Sequence, residues 1–158
     1  MKLLFRLLSV LPLALLHAAG SALGWLAWLG SPAYRRRFAE NLRQAGFTRA
    51  IRVENRIIVA GTVGTEADGS VSPDAGRQAD RCFEQILGHI AQLGGHSGDV
   101  VRVRMFVTDI ADADAVTAAF TRAVAHARPA GTLVAISALY SPAWKCEIEA
   151  EAVIGSGQ

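Results

Sequence analysis

Cysteine, charge and metal-binding patterns are all scarce in this chain, and each shortage removes a class of function. Only Cys82 and Cys146 are present, no C-x-x-C occurs, and the four histidines are scattered. No metal site, structural zinc included, is expected from so few ligands. Both cysteines lie in apolar-patterned segments, which predicts buried free thiols. Charged residues make up 19% of the chain and the net charge is +2. That gives no overall field for a nucleic-acid partner. The Gly-rich run GTVGTEADG has no lysine and does not fit G-x-x-x-x-G-K-[ST]. It reads as a loop, not a phosphate cradle. Internal repeats and low-complexity tracts are absent as well.

What is present is a hydrophobic content of 51% in 158 residues. This excludes a disordered chain and suffices for one domain with a short appendage. The composition changes near residue 46, giving an expected division into 1–45 and 46–158. Residues 3–29 are rich in Leu, Ala, Gly and Trp, interrupted strongly only by Arg6 and His17. A bilayer-crossing helix needs about 20 such residues. Pro12, Gly20 and Gly24 are tolerated in membranes. Trp25 and Trp28 fit an interfacial belt, and Arg35-Arg36-Arg37 should stay cytoplasmic. An apolar N-terminal helix tethering a cytoplasmic domain to the inner membrane is therefore expected. A signal peptide is the alternative, with Lys2 and Arg6 as its basic region and small residues at Ala18-Ala19-Gly20-Ser21-Ala22. A buried segment is the third reading.

Beyond residue 48 the pattern is that of a folded domain. Ile51 and Val53 alternate with Arg52 and Glu54, as in a half-buried strand. A turn at Glu54-Asn55-Arg56 leads to a second strand over 57–60. Ser72 and Pro73 read as N-cap and first residue of a helix. Its apolar stripe is Cys82, Phe83, Ile86, Leu87, Ile90 and Leu93, and Gly94-Gly95 stop it. Val101, Val103, Met105 and Val107 mark a third strand. Asp109 or Asp112 can cap a second helix, whose stripe is Val116, Phe120, Ala123 and Val124. A fourth strand is expected over 133–139. A fifth alternates Cys146, Ile148, Ala150, Ala152 and Ile154 with Glu147, Glu149 and Glu151. The order is ββαβαββ, an α+β layer with two helices on one sheet face.

Two resemblances follow from these motifs. Residues 3–46, ending in YRRRFAENLRQAG, look like the amino terminus of the late acyltransferases of lipid A biosynthesis. The His-x4-Asp/Glu motif of that family is absent: the residues five after His17, His89, His96 and His126 are Ala22, Gly94, Val101 and Gly131. Only the anchor is similar, and acyl transfer is not implied. The stretches GFTRAIRVENRIIVAGTVGTEADGSV, DVVRVRMFVTDIADADAVTAAF and CEIEAEAVI resemble the Rid/YjgF family over about 46–154. This implies a chorismate-mutase-like fold, a homotrimer and small-molecule clefts between subunits. Family members hydrolyse imines or enamines without metal or organic cofactor. An arginine clamps the substrate carboxylate and a glutamate activates water.

Carried over residue by residue, that machinery is mostly missing. The clamp arginine falls on Gly131, the aromatic hydroxyl on Phe47, a serine on Ala60 and an asparagine on Thr117. Glu147 keeps the glutamate and Gly61 the strand-end glycine. Arg128, three residues before Gly131, is a candidate replacement for the clamp, although an arginine there also suits the carbonyls at a helix end. The glutamates of the last strand, with Arg102 and Arg104, equally fit cross-strand ion pairs. The resemblance thus implies a trimeric domain binding a small carboxylate or imine, without archetypal deamination. The alternatives are an imine or enamine hydrolase using Glu147, and a membrane-tethered interaction module.

Overall fold

The structure is a computed structural model that describes residues 46–157. The apolar helix expected over 3–29, the basic triplet and the acyltransferase-like stretch up to residue 45 lie outside them. Thr48–Gln158 forms one compact unit.

Seven regular elements follow in the expected order: β1 (Ala50–Val53), β2 (Arg56–Val63), α1 (Ala75–Gln92), β3 (Val100–Val107), α2 (Ala113–Val124), β4 (Ala130–Ala135) and β5 (Cys146–Val153). The strands form one sheet in the order β1-β2-β5-β3-β4. Only β3 and β4 run parallel. A parallel pair needs a crossover, and α2 supplies it.

The two helices cover one sheet face. Their stripes meet the inward residues of the strands in a core that includes Ile57, Val59, Ile86, Ile90, Val103, Val116 and Ile148, all essentially inaccessible. Phe83 of α1 and Phe120 of α2 pack edge to face, ring centres 6.3 Å apart, a favoured aromatic geometry. Cys82 and Cys146 are buried free thiols, as expected. The contact with Cys146, then burial, pushes the Cys82 thiol far up, so it does not ionise.

Three local expectations need correction. The N-cap of α1 is Asp74, not Ser72. The Asp74 carboxylate accepts the Arg77 N–H at 2.8 Å, while Ser72 Oγ accepts the Asp74 N–H at 3.2 Å. A carboxylate at the helix start is the stronger cap. Strand β4 begins directly after Pro129 and ends at Ala135, not over 133–139. Its partner β3 stops at Val107, opposite Ala135, and the last rung is the bond from Ile136 N–H to Val107 O. Ile51 and Val53 do not face the helices. They are 48% and 55% exposed, while Arg52 on the alternate face donates to Leu93 O at 2.8 Å. The hairpin turn sets this register, with Val53 opposite Arg56 and Glu54 in the left-handed region at φ 56°. The expected end of α1 is as observed. Gly94 takes φ +90°, and its N–H closes on Ala91 O.

Candidate functional site

The uncovered sheet face carries the outward residues of all five strands. Ile51, Val53, Ile58 and Val134 are exposed there. Beside them stand the arginines of β2 and β3 and the three glutamates of β5.

A bulge shapes one end of this face. Val59 pairs with Ala150 but Thr62 pairs with Ile148, so β2 holds one extra residue at Ala60-Gly61. Bulges of this kind re-aim side chains. Here Thr62 Oγ1 donates to Ala60 O at 2.9 Å. The Glu147 carboxylate lies over Gly61 so closely that a Cβ there would overlap it. Glycine at 61 is therefore what lets Glu147 fold back onto the bulge. Glu147 makes no ion pair among the described residues. Burial, then the neighbouring Glu149 charge, pushes its carboxyl above the ordinary range, and Arg49 opposes the shift. Such a carboxyl is a candidate general base.

Two further features hold this end in place. Arg49 O accepts the Ala60 N–H at 3.0 Å, extending the β1–β2 ladder to the bulge. On α1, Gln78 is fully buried. It donates to Ser72 O and Ala143 O, at 2.6 and 2.9 Å, and accepts the Lys145 N–H at 2.8 Å. Gln78 thereby fixes the chain that enters β5, two residues before Glu147.

The other end of the face is neutralised from within. Arg56 donates to Glu151 at 2.5 Å, and Arg102 and Arg104 each approach it at 3.4 Å. Arg104 also reaches Glu149 at 3.3 Å. The hydrogen bond from Arg56 holds the Glu151 carboxyl below the ordinary range, with Arg102 and Arg104 assisting. The expected cross-strand ion pairs are therefore present, but Glu147 is outside them. A shallow hollow of about 110 Å³ lies here, lined in part by Ile58, Ala60, Arg102, Arg104, Glu149 and Glu151.

The remaining sequence candidates lie elsewhere. Gly131 pairs with Val103, and Val103 with Ala150, both inward residues. A Cβ at Gly131 would sit 3.7 Å from the Phe120 ring, on the helix side of the edge strand β4. Thr117 is exposed on α2, about one turn before Phe120. Arg128 is exposed, in the left-handed region at φ 53°, just before Pro129. Phe47 is 60% exposed. Within one chain, then, Ala60, Gly61 and Glu147 come together on the open face. Gly131 and the helix carrying Thr117 form a second cluster on the opposite side. Sequence reasoning missed Arg49. Its place two residues before Ile51 was legible, but the ladder that sets it against the bulge was not.

No three His, Cys, Asp or Glu side chains converge to hold a metal ion among the described residues. No helix among them is long and apolar enough to cross a membrane.

Comparison with known proteins agrees with this architecture. An uncharacterized protein of Streptomyces coelicolor is 30% identical over 112 residues, covering 70% of this chain and 84% of its own. The crystal structure of Rv2704 from Mycobacterium tuberculosis, described as a member of the YjgF/YER057c/UK114 family, is 32% identical. It superposes with a TM-score of 0.66 over 73% of this chain and 92% of its own. The YjgF gene product of E. coli is 27% identical, with a TM-score of 0.63 over 68% and 87% of the two chains. Residues 39–154 match the family model described as Endoribonuclease L-PSP, and the match begins inside the acyltransferase-like stretch. The chain belongs to this family, the Rid/YjgF family of the sequence motifs.

Proposed function

We propose that the domain assembles as a homotrimer whose inter-subunit clefts bind a small carboxylate, without archetypal imine deamination. The observation that carries this reading is the split of the candidate site. Glu147 lies on the open sheet face, whereas Gly131 lies on the helix side of an edge strand two positions away in the sheet. One chain does not bring both to one ligand, so a shared ligand would need a second copy. The exposed Ile51, Val53, Ile58 and Val134 give the open face a reason to associate. Gly131 has no side chain for the carboxylate clamp of the family, which supports binding without efficient turnover. Losing a charge-assisted contact of that kind costs about 1.5–3 kcal/mol.

Sedimentation equilibrium of the full chain, with calorimetric titration of 2-ketobutyrate, tests the reading. A trimer that binds the keto acid is expected. A monomer at micromolar concentration, or a trimer indifferent to the ligand, would contradict it.

One observation favours the hydrolase alternative: Glu147 makes no ion pair among the described residues and is held above the ordinary carboxylate range, as suits a general base. The paired state of Arg56, Arg102 and Arg104 leaves the open face little to offer a phosphate backbone. We further propose that residues 3–29 tether the domain, at 46–158, to the cytoplasmic side of the inner membrane. Membrane partition of the full chain, abolished by removing residues 1–34, is the expected result. Recovery as a soluble protein with its amino terminus intact would exclude the tether and the membrane-tethered module alike.

A further inference from the structure

Resting on the carboxylate-binding reading above, we propose that Arg49 is the anion anchor of the cleft, in place of the side chain missing at Gly131. The ligand class is a small 2-oxo or 2-imino carboxylate.

Most of the cations that border the open face are already paired. Arg56, Arg102 and Arg104 are all bonded to Glu149 or Glu151. Arg52 belongs to the other face, where it donates to Leu93 O and Glu54 O. Arg49 makes no ion pair and no side-chain hydrogen bond among the described residues. It is exposed and lies immediately before β1.

Its backbone is fixed where an anchor is needed. Ala50 pairs with Val59, and the next rung is the bond from Ala60 N–H to Arg49 O at 3.0 Å. Arg49 therefore starts beside the bulge at Ala60-Gly61. That bulge is also where the Glu147 carboxylate folds back over Gly61. Arg49 is the cation whose charge reaches Glu147, yet the two do not form an ion pair. An unpaired guanidinium and an unpaired, partly desolvated carboxyl thus flank one place.

A 2-oxo or 2-imino acid matches this arrangement. Its carboxylate is one bond from the trigonal carbon. A guanidinium can hold the carboxylate by two parallel N–H···O bonds, leaving the trigonal carbon toward Glu147. The Glu147 carboxyl then faces the trigonal carbon from beside Gly61. Binding needs no bond to break.

The test compares two probes on the full chain, 2-ketobutyrate and its neutral primary amide, by calorimetry. Wild type is expected to bind the acid roughly tenfold or more tighter than the amide, the scale of one charge-assisted contact. Arg49→Gln should lower affinity for the acid about tenfold and leave the amide unchanged, so the preference disappears. Arg49→Lys keeps the charge but not the fork, and should retain only part of the preference. Sedimentation of each variant checks assembly, and Arg49→Lys carries the test if Arg49→Gln fails to assemble. An unchanged preference for the acid in assembled Arg49→Gln or Arg49→Lys overturns the role of Arg49 and leaves the cleft reading standing. A wild type that binds neither probe overturns both.

Discussion

Glu151 and Glu147 stand four residues apart on one strand and point to one face, yet they live in opposite electrostatic worlds. Three arginines surround Glu151 and hold it ionised. Glu147 has a bulge, a glycine and a like charge beside it, and its ionised form is disfavoured. Strand alternation alone makes the two equivalent. What separates them is the extra residue in β2, which shifts the cross-strand partners between Val59 and Thr62. The Glu151 end is a structural ladder, and the Glu147 end is the part of the face with unsatisfied chemistry.

The largest test of that contrast concerns the face as a whole. Ile58 sits at the paired end and is 39% exposed in the single chain. If assembly buries this face, Ile58→Glu places a further carboxylate beside Glu149 and Glu151 inside an interface. Such an uncompensated charge costs about 3–5 kcal/mol. Dissociation of the proposed trimer to monomer is expected in sedimentation equilibrium. A variant that stays trimeric would place the interface elsewhere.

Gly61→Ala acts on the other end. The new Cβ would occupy the place of the Glu147 carboxylate, which must swing away. Because the moving part is the tip of a flexible side chain, the stability cost should be modest, about 1 kcal/mol. The Glu147 titration, followed by NMR, should fall back toward the ordinary carboxylate range. An unmoved titration would mean that the glycine is not what desolvates Glu147.

The two glutamates should also respond with opposite signs. Glu151→Gln leaves Arg56, Arg102 and Arg104 without their shared partner and should cost about 1 kcal/mol at neutral pH, the scale of exposed pairs in a network. Glu147→Gln should be neutral or slightly stabilising there. The pH dependence follows from the shifts. Glu151 has a lowered folded pKa, so its contribution is present above the unfolded carboxylate pKa. It is lost as pH falls through the folded one. Glu147 has a raised folded pKa, so stability declines as pH rises from the unfolded value through the folded one. Denaturant melts should show a flatter curve just above the unfolded carboxylate pKa for Glu147→Gln and a flatter curve just below it for Glu151→Gln. Identical curves would erase the distinction.

The smallest effect is expected from Gly131→Arg. The Cβ has ordinary space against Phe120 at 3.7 Å, so stability should change by no more than about 0.5 kcal/mol. A few-fold gain in 2-ketobutyrate affinity is expected in the trimer, and less for Gly131→Lys, which lacks the planar fork. Calorimetry on assembled protein decides. No gain would show that the β4 edge does not border the cleft.

The order of elements was legible because apolar periodicity reports which residues meet the core. Cys82, Phe83, Ile86 and Ile90 fell at helical spacing and are buried. The faces and ends of strands were less legible, because partners set them. The run after Ala135 reads as strand, but β3 ends opposite Ala135 and offers only one further bond, from Ile136 N–H to Val107 O. Ile51 and Val53 read as the apolar side of a half-buried strand, and the hairpin register turns that side to the open face. In the site, Glu147 and Gly61 were found through the motif they match. That Gly131 faces away from them was not, since a residue's face depends on its register with Val103. Arg49 was missed because its significance rests on the bulge across the hairpin, which no local pattern announces.

We propose that Glu147 stands here without the machinery for imine hydrolysis. The direct measurement generates 2-aminoacrylate with a pyridoxal-phosphate enzyme and follows pyruvate release with and without the full chain. Wild type and Glu147→Ala should both leave the spontaneous rate unchanged, while wild type still binds 2-ketobutyrate. Faster release by wild type, abolished in Glu147→Ala, would contradict it and make the domain an imine hydrolase with Glu147 as its base.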